Sequence, residues 1–199
     1  MKNTAKSPLT QSLRILLVIS GIVFTGFGFA YFQHEDSTNR VSFALTGTSG
    51  AEVTQKDMGG KWMLLYFGFT SCPDICPTQT AKVAQTLRLL DKKRLGDTIA
   101  PVFVSVDYVR DTPEGINSYL QRFDQRLIGL TGNPQQLDQV VSSFDTHYEV
   151  QRSQHAHHGD INVIHSSMTY LVDPFGKIVD QIAYGYDPAF LADHIEKLL

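Results

Sequence analysis

The sequence predicts an α/β domain, a mixed central sheet with helices on both faces, preceded by one N-terminal transmembrane helix. Three observations carry that expectation. Residues 62–67 are a continuously apolar run, as strands covered on both faces tend to be, and 99–106 reads as a second buried strand. Between and after them, apolar residues recur at helical spacing behind proline and capping residues. Before them, residues 15–32 hold no charged side chain.

Composition narrows the classes. The chain has 199 residues and a net charge of −3, with no basic stripe, so nucleic acid is not an expected partner. Its 2 cysteines are too few for a disulfide-stapled mini-fold.

Taken in order, residues 1–14 form a short segment carrying Lys2, Lys6 and Arg14. Residues 15–32, as a helix rising 1.5 Å per residue, would span about 27 Å, marginally enough for a hydrocarbon core of roughly 30 Å. His34, Glu35 and Asp36 follow the run, so the positive-inside rule puts the N-terminus in the cytoplasm and exports everything after Phe32. The expected location is a bacterial-type inner membrane, crossed once, with the C-terminal domain on the periplasmic side. The competing reading is a cleaved signal peptide, but that needs an apolar region of about 7–15 residues ending in small A-x-A residues. Gly28-Phe29-Ala30 matches this poorly. Residues 33–40 read as a tether, and 41–199 as the folded domain.

Within the domain, Val41-Ser42-Phe43-Ala44-Leu45 alternates as an opening strand would, and 47–60 is turn-rich with room for a small hairpin. The strand at 62–67 ends at Gly68. Ala81, Val83, Ala84, Leu87, Leu89 and Leu90 then mark a helix between Thr78 and Leu95, with Pro77 in its first turn. After the strand at 99–106, Thr112 caps a helix begun by Pro113 and Glu114 and running to about Phe123. Residues 127–130 form a short strand, and Asn133-Pro134 opens a helix with Leu137, Val140, Val141 and Phe144 on one face. The stretch 151–160 is polar and reads as a loop; it contains His155, His157 and His158. Structure resumes at 161–165. Residues 168–172 and 178–183 bracket Asp173-Pro174-Phe175-Gly176-Lys177 as a hairpin, and Asp187-Pro188 caps the last helix.

Chemistry concentrates at Cys72 and Cys76, four positions apart at a strand–helix seam. There the unpaired N–H groups and positive dipole end of a helix favour thiolate, so at least one thiol is expected to ionise below the usual range. Asp107, Arg110 and Asp111 follow a buried strand whose end should open beside the cysteine loop. They suit either an ion pair with a helix cap or a partner-docking group. The three histidines at 155–158 read as a solvated loop or as a transient metal trap.

The run Gly68-Phe69-Thr70-Ser71-Cys72-Pro73-Asp74-Ile75-Cys76-Pro77 resembles the signature of the Sco family, also called SenC or PrrC. Val106-Asp107 with Arg110-Asp111-Thr112-Pro113-Glu114 agrees with that family, as do His165 five residues before Tyr170 and Asp173-Pro174-Phe175-Gly176. The resemblance covers 41–199 and implies a thioredoxin-like fold. It departs from the family at Ile164, where many members carry an acidic residue, and the histidine run is outside the core motif. What the resemblance implies is a membrane-anchored metallochaperone binding copper through Cys72, Cys76 and His165. Its cargo would go to the CuA centre of cytochrome c oxidase subunit II or to another copper-receiving membrane protein, with a thiol reductant protein keeping the cysteines reduced. Thiolates suit soft Cu(I), and imidazole is an apt companion. Ordinary thioredoxins place a cis-proline near the position of Ser167, and none stands there. The alternatives are a thiol–disulfide oxidoreductase acting through the redox-active pair Cys72/Cys76 on exported or membrane-bound protein thiols, or a copper or redox sensor.

The anchor makes a first prediction. The mature protein retains its N-terminus and fractionates with membranes, and a reporter fused after Leu199 is active only when folded outside the cytoplasm. Recovery of a soluble species beginning near Tyr31 would establish cleavage instead.

Overall fold

The computed structural model describes residues 40–152 and 161–199. The predicted N-terminal segment, the anchor, nearly all of the tether, and His155, His157 and His158 lie outside the described residues. Among the described residues no helix is long and apolar enough to cross a membrane.

The chain opens with a hairpin of β1 (Ala44–Gly47) and β2 (Glu52–Thr54). It continues through β3 (Trp62–Gly68), α1 (Ile75–Lys92), β4 (Ile99–Ser105), α2 (Pro113–Leu120), β5 (Ile128–Thr131) and α3 (Pro134–Ser143). There follow β6 (Tyr148–Arg152), β7 (Ile161–His165), β8 (Thr169–Val172), β9 (Ile178–Ile182) and α4 (Pro188–Leu198). Seven strands form one sheet in the order β2-β1-β5-β4-β3-β8-β9, and β6 and β7 form a separate ribbon. Strands β3, β4 and β5 run parallel to one another, whereas β8, β9, β1 and β2 join antiparallel. The expected mixed sheet is therefore present.

Alternation along β3 divides the core in two. Leu64 and Tyr66 face one side, where Val83, Leu87 and Leu90 of α1, Ile116, Tyr119 and Leu120 of α2, and Leu191 and Ile195 of α4 cover them. Met63, Leu65 and Phe67 face the other, against Leu137 and Val140 of α3, Phe144 just after it, and Val163 of β7. Because side chains of a strand alternate, a run apolar at every position needs a layer on each face, and both layers are present.

Three helix starts fall where the sequence put them. The Thr112 hydroxyl accepts from Gly115 N–H, Asn133 and Gln136 bond reciprocally, and the Asp187 carboxylate accepts from Ala189 and Phe190 N–H. Helix α1 runs 75–92 rather than 78–95. It ends in a Schellman motif: Arg94 is left-handed at φ 60°, with Leu95 N–H on Leu90 O and Arg94 N–H on Asp91 O. Helix α2 stops at Leu120, three residues short of Phe123.

The larger difference is β6. The polar composition after Tyr148 predicts a loop over part of it, yet Tyr148 pairs with His165, Val150 with Val163 and Arg152 with Ile161. Tyr148 and Val150 pack on the core while Glu149 faces solvent. That is a half-buried strand with only two apolar anchors, too few to stand out from a loop by composition.

Helix α2 approaches β5 closely over Gly129. A Cβ there would lie 2.5 Å from Ile116 Cγ2 and 2.9 Å from Leu120 Cδ1 and Thr48 Cγ2. Overpacking of this kind costs about 1–3 kcal/mol, so Gly129→Ala lowers stability by that amount in chemical denaturation. An unchanged midpoint would mean that α2 can move away freely.

Candidate metal centre

The centre is built at the end of β3. Gly68 closes the strand, a short loop carries Cys72, and α1 begins at Ile75 with Cys76 in its first turn. Asp74, at the cap position, makes no side-chain cap bond; instead the Cys72 sulfur accepts Cys76 N–H at 3.4 Å. Cys72 is half-buried and Cys76 is 2% exposed. The Cys76 thiol is turned down onto the strand end, so a Cβ on Gly68 would lie only 3.1 Å from its sulfur.

At Cys76 that burial works against the lowering expected of a thiol at a helix start. Removal from water is the largest influence and pushes the group up to about 12, against a smaller lowering by a hydrogen bond to the Phe69 backbone. A helix terminus is worth roughly 0.3–1 kcal/mol to a charge at an exposed site, less than the desolvation of a buried one.

His165 closes β7 and faces this thiol across the cleft, with Nε2 3.5 Å from Cys76 Sγ. Its Nδ1 lies 2.8 Å from the Ser166 carbonyl oxygen. A carbonyl only accepts, so Nδ1 carries the proton and donates, leaving the Nε2 lone pair turned toward sulfur. Burial lowers the histidine pKa and keeps the ring neutral, against a smaller opposing effect of the Ser166 bond. This is the tautomer a metal-binding imidazole needs, with its second nitrogen held by a backbone carbonyl.

Side chains around the pair hold it in place. Phe69 stands edge-on to His165 with ring centroids 5.6 Å apart, and the Arg110 guanidinium lies over Phe69 at 5.7 Å. Arg110 in turn pairs with buried Asp107. Asp111 accepts from Thr70 N–H at 2.8 Å, Thr70 Oγ1 at 2.5 Å and Ser105 Oγ at 2.5 Å, tying the cysteine loop to the end of β4. The expected opening of β4 beside the cysteine loop is thus observed. Asp107 and Arg110 form the expected ion pair, while Asp111 anchors the loop and leaves the helix cap to Thr112. No described peptide bond is cis, and the segment before β8 presents histidine to the cysteine loop.

The structure brings Cys76 into contact with His165 through its sulfur and with the Cys72 sulfur through its N–H. Among the described residues no three His, Cys, Asp or Glu side chains already close into a metal cage. Two soft sulfurs and one neutral imidazole are still a donor set suited to Cu(I). Sequence reasoning missed Phe69 and Thr70 as supports of the site. The signal available was their place inside the cysteine motif.

A family model described as SCO1/SenC matches residues 33–199. The chain belongs to the SCO1/SenC family. Protein sco1 of Schizosaccharomyces pombe is 32% identical over 187 residues, covering 85% of this chain and 70% of that protein. The mitochondrial protein SCO1 homolog 1 of Arabidopsis thaliana is 37% identical over 155 residues, 78% of this chain; the match spans only 45% of the Arabidopsis protein. The crystal structure of Arabidopsis thaliana ScoI with copper bound matches with a TM-score of 0.72 and 36% identity, covering 80% of this chain and 96% of that one. Copper is thus present in a relative built on the same SCO1/SenC scaffold.

The raised Cys76 pKa gives a pH prediction. In Cys72→Ser, the metal-free protein is alkylated at Cys76 more slowly than a free thiol at pH 7–8, and the rate keeps rising with pH. A plateau below pH 9 would contradict the burial argument. Because the unfolded thiol ionises near 9 and the folded one at about 12, the folded chain holds more protons in that window. Stability from this group therefore falls as pH rises from 9 to 12.

Proposed function

We propose that this SCO1/SenC protein is a copper metallochaperone that carries one copper ion on Cys72, Cys76 and His165. The observation that supports the reading most is the His165 ring, with Nε2 turned to Cys76 Sγ and Nδ1 committed to Ser166 O. Copper is cargo here. Each thiol must give up its proton on binding, because thiolate is the ligand form. His165 enters neutral and needs to lose nothing, so its place in the site is set in advance. Half-exposed Cys72 is the donor an acceptor protein reaches first, while Cys76, buried against Gly68, is reached last. Release is then stepwise ligand exchange, with Cys72 detaching before Cys76.

Family membership supports an acceptor in cytochrome c oxidase assembly, the CuA-bearing subunit II or another copper-receiving membrane protein, and a thiol reductant protein as second partner. The domain plan that goes with it is a membrane anchor at 15–32, a tether at 33–40 and the copper-binding domain at 41–199, on the periplasmic side of the inner membrane.

The test is copper stoichiometry with the absorption spectrum. Wild type binds one copper, and Cys72→Ser or Cys76→Ser abolishes stable Cu(I) binding. His165→Ala weakens it by at least the roughly 10–100-fold typical of perturbing a metal ligand's surroundings, and alters the spectrum. Replacing His155, His157 and His158 together by alanine leaves one copper and the same spectrum. Equal retention by wild type and His165→Ala, with disulfide reductase activity lost in the cysteine variants, would favour the oxidoreductase.

A further inference from the structure

Two buried polar residues behind the centre have no part in the copper reading. Gln79 lies in α1, three residues after Cys76 on the same side of the helix, and is 1% exposed. Thr169 opens β8, four residues after His165, and is fully buried. The Gln79 amide donates from Nε2 to Thr169 Oγ1 at 2.7 Å. A buried amide without a partner costs about 1–3 kcal/mol, so a glutamine in this position is tolerated only while the bond is kept.

The bond spans the same two elements that carry the donors. Helix α1 holds Cys76, and β8 continues directly from the segment that ends β7 at His165. That segment is short and bonded within itself: Met168 N–H donates to Ser166 Oγ at 3.3 Å, and Ser166 Oγ lies 3.4 Å from Tyr170 OH. Three residues of this segment are thus the whole route between Thr169 and His165. On the helix side, Thr169 shares a sheet rung with Tyr66. The Tyr66 hydroxyl donates to Thr80 Oγ1 at 3.0 Å, and Thr80 donates to the Cys76 carbonyl at 2.8 Å. One rung of the sheet thus reaches α1 by two arms, at Gln79 and Thr80, one turn beyond the thiol.

We propose that Gln79 is a positioning residue of the metal centre, setting through Thr169 where the His165 imidazole stands relative to Cys76. Apolar packing would hold α1 against the sheet just as firmly, but it is non-directional, whereas a short hydrogen bond fixes separation and angle. The inference rests on the copper reading for its consequence. Its geometry concerns the metal-free protein as well.

The experiment compares Gln79→Leu, Thr169→Val and Thr169→Ser in the full chain. Histidine-labelled metal-free protein is read by NMR, with the His165 ring nitrogens assigned by their loss in His165→Ala. The ring signals move in Gln79→Leu and Thr169→Val and stay in place in Thr169→Ser, which keeps the hydroxyl. Cu(I) affinity, measured by competition with a chromogenic chelator, falls about tenfold in the first two variants, as for loss of a ligand's outer support. Added to His165→Ala, Gln79→Leu lowers affinity by less than about twofold, because the residue it positions is gone. Unmoved ring signals overturn the inference whatever copper does, and so does an undiminished loss in the His165→Ala background. Equal copper binding by wild type and His165→Ala refutes the copper reading instead, and the ring signals still decide the positioning role.

Discussion

Everything at the candidate metal centre hangs from the parallel ladder between β3 and β4. Seven consecutive residue pairs, Trp62 with Ile99 through Gly68 with Ser105, hold the two strands in one register. They end together, and there the chain leaves β3 into the cysteine loop and β4 into Asp107 and Asp111. Asp111 then bonds Ser105 at one strand end and Thr70 beyond the other. A slip of one residue would reverse every side chain of β3 between its two core layers. Tyr66 and Phe67 are both fully buried on opposite faces, so the register has no neighbouring alternative of comparable energy.

On that frame the site combines two desolvated groups whose neutral states favour each other. Burial raises the Cys76 pKa and lowers that of His165, so with no metal the pair rests as thiol and imidazole. Neither carries a charge into the core. Under the proposed function a soft cation would reverse the balance: its charge would replace the thiol proton, so that the thiolate would not be an isolated buried anion. The same burial makes Cys76 a poor nucleophile at neutral pH. Cys72, in the loop before α1, is half-exposed and so is the more accessible of the two sulfurs.

The polar side chains of the interior are distributed unevenly, and their distribution follows the site. Tyr66, Gln79, Thr80, Ser105, Asp107 and Thr169 are all buried and all hydrogen-bonded near the end of β3. Hydrophobic burial supplies compactness without direction; hydrogen bonds among desolvated groups supply fixed distances. Concentrating the second kind beneath Cys76 and His165 gives those two side chains definite places.

Local patterning was enough for much of this. The sequence by itself determined the two buried strands, the starts of the helices at Thr112, Asn133 and Asp187, the closing hairpin and the cysteine pair at a strand–helix seam. Each depends on residues within one or two turns of one another. Only the tertiary structure decided three further points. Residues 148–152 are a strand because β7 folds back to pair with them, which no short window can contain. The Cys76 sulfur lies inward against Gly68, so desolvation outweighs the helix terminus, and burial is a property of all the layers together. His165 meets Cys76 across 89 positions of sequence. Spacing in the chain says nothing about such a contact; it exists because β3, β8 and α1 are locked in one register.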